Sequence, residues 1–179
     1  MQELYIIRHC QAEGQEPNAP LTILGQEQAD RLAAQFDTIP LDVIISSPYL
    51  RAIQTIQPLA EKKKLVIHQD ERLIERVLCG TSEPNWRDML QHTYNDMELC
   101  YAGGESSRQA TERVLGVIEQ WKNSDHTCAA IISHGNLISL LLRAYDGRTR
   151  FREWERLTNP DVYRLSLDAM PPSIERVFV

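Results

Sequence analysis

A chain of 179 residues suits one domain, here expected to span 1–179, with room for a short inserted cap. Such a chain buries ~70% of the surface it exposes when unfolded, so no disulfide or metal is needed to hold a core. With 42% hydrophobic and 25% charged residues the composition is that of an ordinary globular protein, and a net charge of −6 argues against broad binding to nucleic acid or to an anionic membrane. A small anionic ligand is still possible where arginines gather locally.

The first ten residues, MQELYIIRHC, carry neither the basic start nor the long apolar stretch of a signal peptide. No run of ~20 apolar residues exists to span a bilayer, and the four scattered cysteines, read as reduced thiols, make a cytoplasmic location the expectation. Leu4-Tyr5-Ile6-Ile7 reads as a buried strand that stops at Arg8-His9. A polar loop over 11–20 follows, then Thr22 as the cap of a helix with Leu24, Ala29, Leu32, Ala33 and Phe36 on one face. Val43-Ile44-Ile45 is a second strand, ending in Ser46-Ser47-Pro48; Ser47 is the expected cap and Pro48 the first turn of a helix to about 61. Leu65-Val66-Ile67 is a third strand. The stretch 71–104 is less regular and reads as a cap with some helix around 86–91. Ser106 starts a helix carrying Val114, Val117, Ile118 and Trp121, and Ala129-Ala130-Ile131-Ile132 is the clearest strand, ending in Ser133-His134-Gly135-Asn136. A leucine-rich helix follows, and 162–165 and 174–179 are closing strands. Strands alternating with helices predict an α/β three-layer sandwich around a mostly parallel sheet.

Two of these strands end in histidine, and a third leads into a helix whose first turn carries Arg51. In parallel α/β sheets the carboxyl ends of the strands line the binding crevice, so these side chains should converge. Two histidines with Arg8 and Arg51 suit one dianionic phosphate, because each guanidinium offers a two-pronged donor to phosphate oxygens. An ion pair at ~4 Å is worth about 4 kcal/mol at an effective dielectric near 20, enough to outweigh distant negative charge. A neutral imidazole can attack phosphorus while the second histidine and the arginines stabilise the charge. A carboxylic acid is then wanted at the leaving oxygen; Glu75 is the candidate and Glu71 its rival.

These residues resemble the histidine phosphatase superfamily, which includes phosphoglycerate mutases and many phosphatases. Arg8-His9 matches its Arg-His-Gly signature, and Pro20-Leu21-Thr22 with Gly25, Gln28 and Ala29 its Leu-Thr-x-x-Gly element. Ser46-Ser47-Pro48 with Arg51-Ala52 and Thr55 matches a third element, Leu73-x-Glu75 with Gly80 the acid/base segment, Gly103-Gly104-Glu105-Ser106 with Arg113 a fifth, and Ser133-His134-Gly135 the second histidine motif. The resemblance covers nearly the whole chain and implies a phosphoglycerate mutase-like fold. It makes His9 the phosphorylated nucleophile, Arg8, Arg51 and His134 its catalytic partners, and Glu75 the proton donor. Arg8, Gln15, Arg51, His134 and Gly135 would bind the substrate, a small-molecule phosphate ester, with no metal, nucleotide or other cofactor. Three departures stand out: Cys10 replaces the usual glycine, Ala12 and Gln15 replace a Ser or Thr and an Asn, and Thr81-Ser82-Glu83 follows Gly80 in place of a tryptophan-containing sequence.

Other chemistries fit less well. The four cysteines lack C-x-x-C or zinc-ligand spacing and read as reduced thiols. Cys10 beside the histidine suggests a thiol phosphatase, but the position where that signature carries arginine holds Glu16, Asn85, Ser106 or His134 after the respective cysteines. His68, His92 and His126 have no matching partners, no H-E-x-x-H occurs, and no P-loop is present. Glu105 and Arg113 read as structural supports. The expected activity is metal-independent hydrolysis of a phosphomonoester through phosphohistidine. A mutase is the alternative within the family, and an inactive phospho-ligand-binding module the alternative outside enzymes. The short cap, with only Arg76 and Arg87 as cations between Glu75 and Gly103, favours the phosphatase. Oligomeric state and the physiological ester are not written in these motifs.

Overall fold

The apolar run near the N-terminus forms strand β1 (Glu3–Arg8) in the computed structural model, which describes residues 2–178. The other strands are β2 (Val43–Ser46), β3 (Ile67–Gln69), β4 (Cys128–Ser133), β5 (Asp161–Ser166) and β6 (Ser173–Phe178). They make one sheet in the order β3-β2-β4-β1-β5-β6. The pairs β2·β3, β2·β4 and β1·β4 are parallel, whereas β5 runs antiparallel to β1 and β6 antiparallel to β5. Strands covered on both faces need apolar side chains at consecutive positions, and β4 is buried at every one of its residues.

Helices α1 (Ile23–Gln35), α2 (Leu50–Lys63), α3 (Trp86–Asn95), α4 (Ser107–Lys122), α5 (Gly135–Asp146) and α6 (Phe151–Glu155) surround this sheet. Alternate residues of β1 face opposite layers, as a period of two requires. Tyr5 and Ile7 join Leu32, Phe36, Ile56 and Leu59 of the α1–α2 side; Leu4 and Ile6 join Val114, Ile118, Leu137 and Leu141 of the α4–α5 side. The three-layer α/β sandwich read from the sequence is therefore observed. Thr22 caps α1 by accepting from Gly25 N–H, and Ser106 caps α4 in a reciprocal capping box with Gln109.

Two boundaries and the exposure of one side chain depart most from the sequence reading. Helix α2 begins at Leu50, not Pro48, and has no side-chain cap, because Ser47 Oγ lies 2.8 Å from His134 Nε2. The third strand is 67–69 rather than 65–67: Lys64 turns left-handed at φ 57° and Leu65 N–H still bonds the Ala60 carbonyl, so the helix end takes up the first part of that run. Leu24, placed on the apolar face of α1, is 43% exposed. The helix α6 was not anticipated, and Val179 of the last expected strand lies outside the described residues. The 71–104 segment supplies a 3-10 turn (Glu71–Leu73) and α3.

Gly25 is fixed by close approach: a Cβ there would stand 2.0 Å from the Gln11 carbonyl oxygen, which also accepts from Thr22 N–H. Gly25→Ala must push the 11–22 loop off α1, and should cost about 1–3 kcal/mol, read as a lowered urea midpoint with unchanged m-value.

Candidate active site

Arg8, at the end of β1, is in register with Ser133, at the end of parallel β4. The pairing continues one residue further, with His9 N–H bonded to the Ser133 carbonyl at 3.1 Å, and Ser47 N–H after β2 bonded to the Ile132 carbonyl at 2.9 Å. Register alone thus sets His9 and His134 side by side, their ring centroids 5.2 Å apart. Arg51, in the first turn of α2, reaches the same place. All three are buried, at 6% (His9), 0% (His134) and 1% (Arg51) exposure.

The hydrogen bonds fix the His9 tautomer. Nδ1 lies 2.7 Å from the Cys10 carbonyl oxygen, which can only accept, so Nδ1 carries the proton. Nε2 lies 3.2 Å from Arg51 Nε, which can only donate, so Nε2 bears the lone pair. Both constraints require a neutral ring whose free nucleophilic atom is Nε2. Burial lowers the His9 pKa to about 3, opposed by the Cys10 carbonyl and reinforced by Arg51 and Arg8. Burial, then His9 and the arginines, hold His134 well below the usual histidine value. Two neutral imidazoles therefore stand among guanidinium cations.

Arg51 is anchored by Nη1 donating to the Gln15 and Glu16 carbonyls at 3.1 and 2.9 Å, and Arg8 by Nη1 donating to the Leu157 and Thr158 carbonyls at 3.0 and 3.3 Å. Arg8 Nε and His134 Nδ1 are buried and have no hydrogen-bond partner among the described residues. A phosphoryl oxygen is an acceptor of the kind that Arg8 Nε lacks, and it suits His134 Nδ1 in the tautomer where Nε2 accepts from the Ser47 hydroxyl. Gly135 is needed beside them, because a Cβ there would come within 2.9 Å of the Arg8 guanidinium.

Glu75 sits at the N-terminus of α5. Its Oε1 accepts from Arg76 and Leu137 N–H at 2.8 and 2.9 Å, and its Oε2 from Asn136 N–H at 3.0 Å. A carboxylate oxygen has two acceptor sites, so Oε2 retains one for a proton. Arg113 holds the chain leading to Glu75 by donating to the Arg72 and Ile74 carbonyls, and it forks onto Glu105, whose Oε2 accepts from Val77 N–H. The supporting role read for Glu105 and Arg113 is what these bonds do. Glu71 is exposed in its 3-10 turn and does not line the cleft.

That cleft, about 520 Å³, is lined by the polar Arg8, Gln15, Glu75, Arg76 and Asn136 and by the apolar Leu78, Leu90, Trp86 and Trp154. His9, Arg51 and His134 lie outside this lining, and Arg8, whose guanidinium stands against Gly135 next to His134, joins the two. Cys10 is not in the cleft: the thiol is buried against Leu21 and Ala29, and burial pushes its pKa up to about 11. The side chain in place of glycine is packing, which removes a thiolate nucleophile. His68, His92 and His126 are exposed.

Several neighbours escaped the sequence reading. Tyr49 sets its ring 5.0 Å from that of His134 and beneath the Arg51 guanidinium at 5.1 Å. Asn159 donates to the His9 carbonyl at 2.8 Å. Arg76 figures in the sequence reading only as one of the cap's few cations, yet it is buried in the wall, and neither Asn136 nor Trp154 has a role there. An aromatic residue near a motif, or an asparagine far along the chain, carries no spacing signal; only the fold assembles them.

The fold and these side chains define an α/β protein with a buried pair of histidines beside two arginines at the carboxyl edge of its sheet. The model of the histidine phosphatase superfamily (branch 1) matches residues 4–179, and the chain belongs to that family. It is 26% identical to phosphoserine phosphatase 1 of Hydrogenobacter thermophilus over 75% of this chain and 71% of the relative. It is 25% identical to the "Probable phosphoglycerate mutase GpmB" of Proteus mirabilis over 96% and 87%. Among solved structures, mycobacterial glucosyl-3-phosphoglycerate phosphatase in complex with VO3 superposes with a TM-score of 0.78 at 23% identity, covering 99% of this chain and 98% of the other.

Proposed function

We propose that this chain is a phosphomonoester phosphatase, independent of metal, that works through a phosphohistidine on His9. The observation that carries the reading is the His9 ring itself, fixed by Cys10 and Arg51 as a neutral imidazole with its lone pair on Nε2. In the cycle, Nε2 attacks phosphorus and the ester P–O bond breaks. The oxygen of the departing alcohol takes a proton from Glu75. Water then attacks phospho-His9, giving its proton to Glu75; the P–N bond breaks and inorganic phosphate leaves. Arg8, Arg51 and His134 neutralise and orient the equatorial oxygens throughout, a form of preorganised electrostatic stabilisation. Gln15, in the cleft lining, and Gly135, which leaves space for Arg8, complete the substrate contacts.

An inactive binding module needs no fixed imidazole tautomer. A mutase must hold a doubly phosphorylated intermediate, and the cleft offers little cationic charge for that. The test is a rapid alkaline quench during turnover of labelled p-nitrophenyl phosphate, with chelator present, followed by peptide mapping. Acid-labile, alkali-stable label on the peptide containing His9 is expected. Turnover without protein-bound label, or with label on another residue, would overturn the covalent route, and product formed only with a bisphosphate primer would favour the mutase.

A further inference from the structure

We infer that the apolar wall of this cleft selects an uncharged aromatic alcohol as the leaving group, seated in the corner between Trp86 and Trp154; the hydrolytic consequence rests on the phosphatase reading above. The two indoles both line the cleft, with centroids 6.3 Å apart and planes at 85°. A flat ring laid in such a corner stacks on one indole and turns its own edge to the face of the other, the two geometries that aromatic pairs prefer. Leu78 and Leu90 extend the same apolar wall.

The corner is assembled before any ligand arrives. Trp154 stacks on Phe151 at 5.3 Å and 30°, and the Arg87 guanidinium lies 5.4 Å over the Phe151 ring while pairing with Glu155, which ties α3 to α6. Trp86 is nevertheless 47% exposed. A large indole left half open in a concave wall is apolar surface available for a ligand to cover.

Charge points the same way. Among the described residues, Arg8 and Arg76 are the cations of the cleft lining, and Arg8 belongs to the phosphate. Arg76 is only 5% exposed; its Nε and Nη2 donate to the Glu105 carbonyl and its Nη1 to Thr93 Oγ1 and Asn136 Oδ1. Four of its five N–H groups are thus committed, and the carboxylates of Glu75 and Glu105 act on its charge. A second anionic group on the leaving alcohol would find little free donor capacity here and would lie near Glu75. An uncharged ring forfeits nothing.

Phosphonates test this without hydrolysis. Calorimetric affinities of the full chain for 2-naphthylmethylphosphonate, methylphosphonate and 3-phosphonopropionate should rank the naphthyl compound at least ~10-fold above both others. Trp86→Ala and Trp154→Ala should each remove most of that advantage while leaving methylphosphonate affinity unchanged. Equal affinities, a preference for the carboxylate analogue, or a naphthyl advantage surviving both substitutions would overturn the inference. Turnover of p-nitrophenyl phosphate, measured in parallel, separates the two readings. Hydrolysis without the naphthyl preference sinks this inference alone. The naphthyl preference without hydrolysis supports the subsite and sinks the phosphatase.

Discussion

Glu75→Gln is expected to slow hydrolysis of an alkyl phosphate by about 10²–10⁴-fold while leaving a burst of roughly one p-nitrophenolate per enzyme from the aryl ester. The two halves of the cycle ask different things of this residue. An alkoxide is a poor leaving group and needs the proton from Oε2; p-nitrophenolate leaves without one, so phospho-His9 still forms. Its hydrolysis then stalls, because water has no base, and the phosphoenzyme accumulates. The substitution also has a structural cost. With its oxygen in the place of Oε1, the amide nitrogen faces Asn136 N–H, a donor against a donor, where Glu75 Oε2 accepts at 3.0 Å. Leaving those groups unpaired costs about 1–3 kcal/mol, so thermal melting must show the variant folded before rates are compared. A variant that is folded, turns over an alkyl ester within tenfold of the native rate and shows no burst would remove Glu75 from the chemistry.

Much of this pocket was legible in the sequence because its parts lie at the ends of apolar runs. A run such as Ala129 to Ile132 announces a doubly covered strand, and whatever polar residue follows it must surface at the sheet's carboxyl edge. That reasoning places Arg8, His9 and His134 together with no distance in hand, and register completes it. Elsewhere local propensity lost to tertiary demand. Ser47-Pro48 has the chemistry of a helix start, but the hydroxyl is held at His134 Nε2, and α2 begins two residues later. The 65–67 run has β-forming side chains, yet the first of them completes the turn that ends α2. The cleft wall was opaque for a different reason. Trp86 and Trp154 lie far apart in the chain and meet only because Phe151 and the Arg87–Glu155 pair draw α3 and α6 together. No periodicity encodes such a meeting.

Stability should fall on mild acidification, and His9 sets the minimum size of the effect. An imidazole in the unfolded chain titrates near ~6.5, whereas that of native His9 is lowered to about 3. Between those values the unfolded state binds a proton that the native state refuses, so the unfolding free energy decreases as pH decreases. From pH 7 to pH 5 His9 alone should account for about 2 kcal/mol, and His134, lowered by the same burial, adds in the same direction. Asp70, whose carboxyl Arg72 holds below the usual carboxylate range by hydrogen bonding, loses its contribution only at lower pH, so this window isolates imidazoles. The urea midpoint should drop by roughly 1 M or more between the two conditions. His9→Gln should flatten the dependence, since an amide can donate to the Cys10 carbonyl and accept from Arg51 without titrating. If the native chain instead keeps its full stability at pH 5, the imidazoles accept protons in the folded state. The lone pair assigned to Nε2 would then not be there to attack phosphorus.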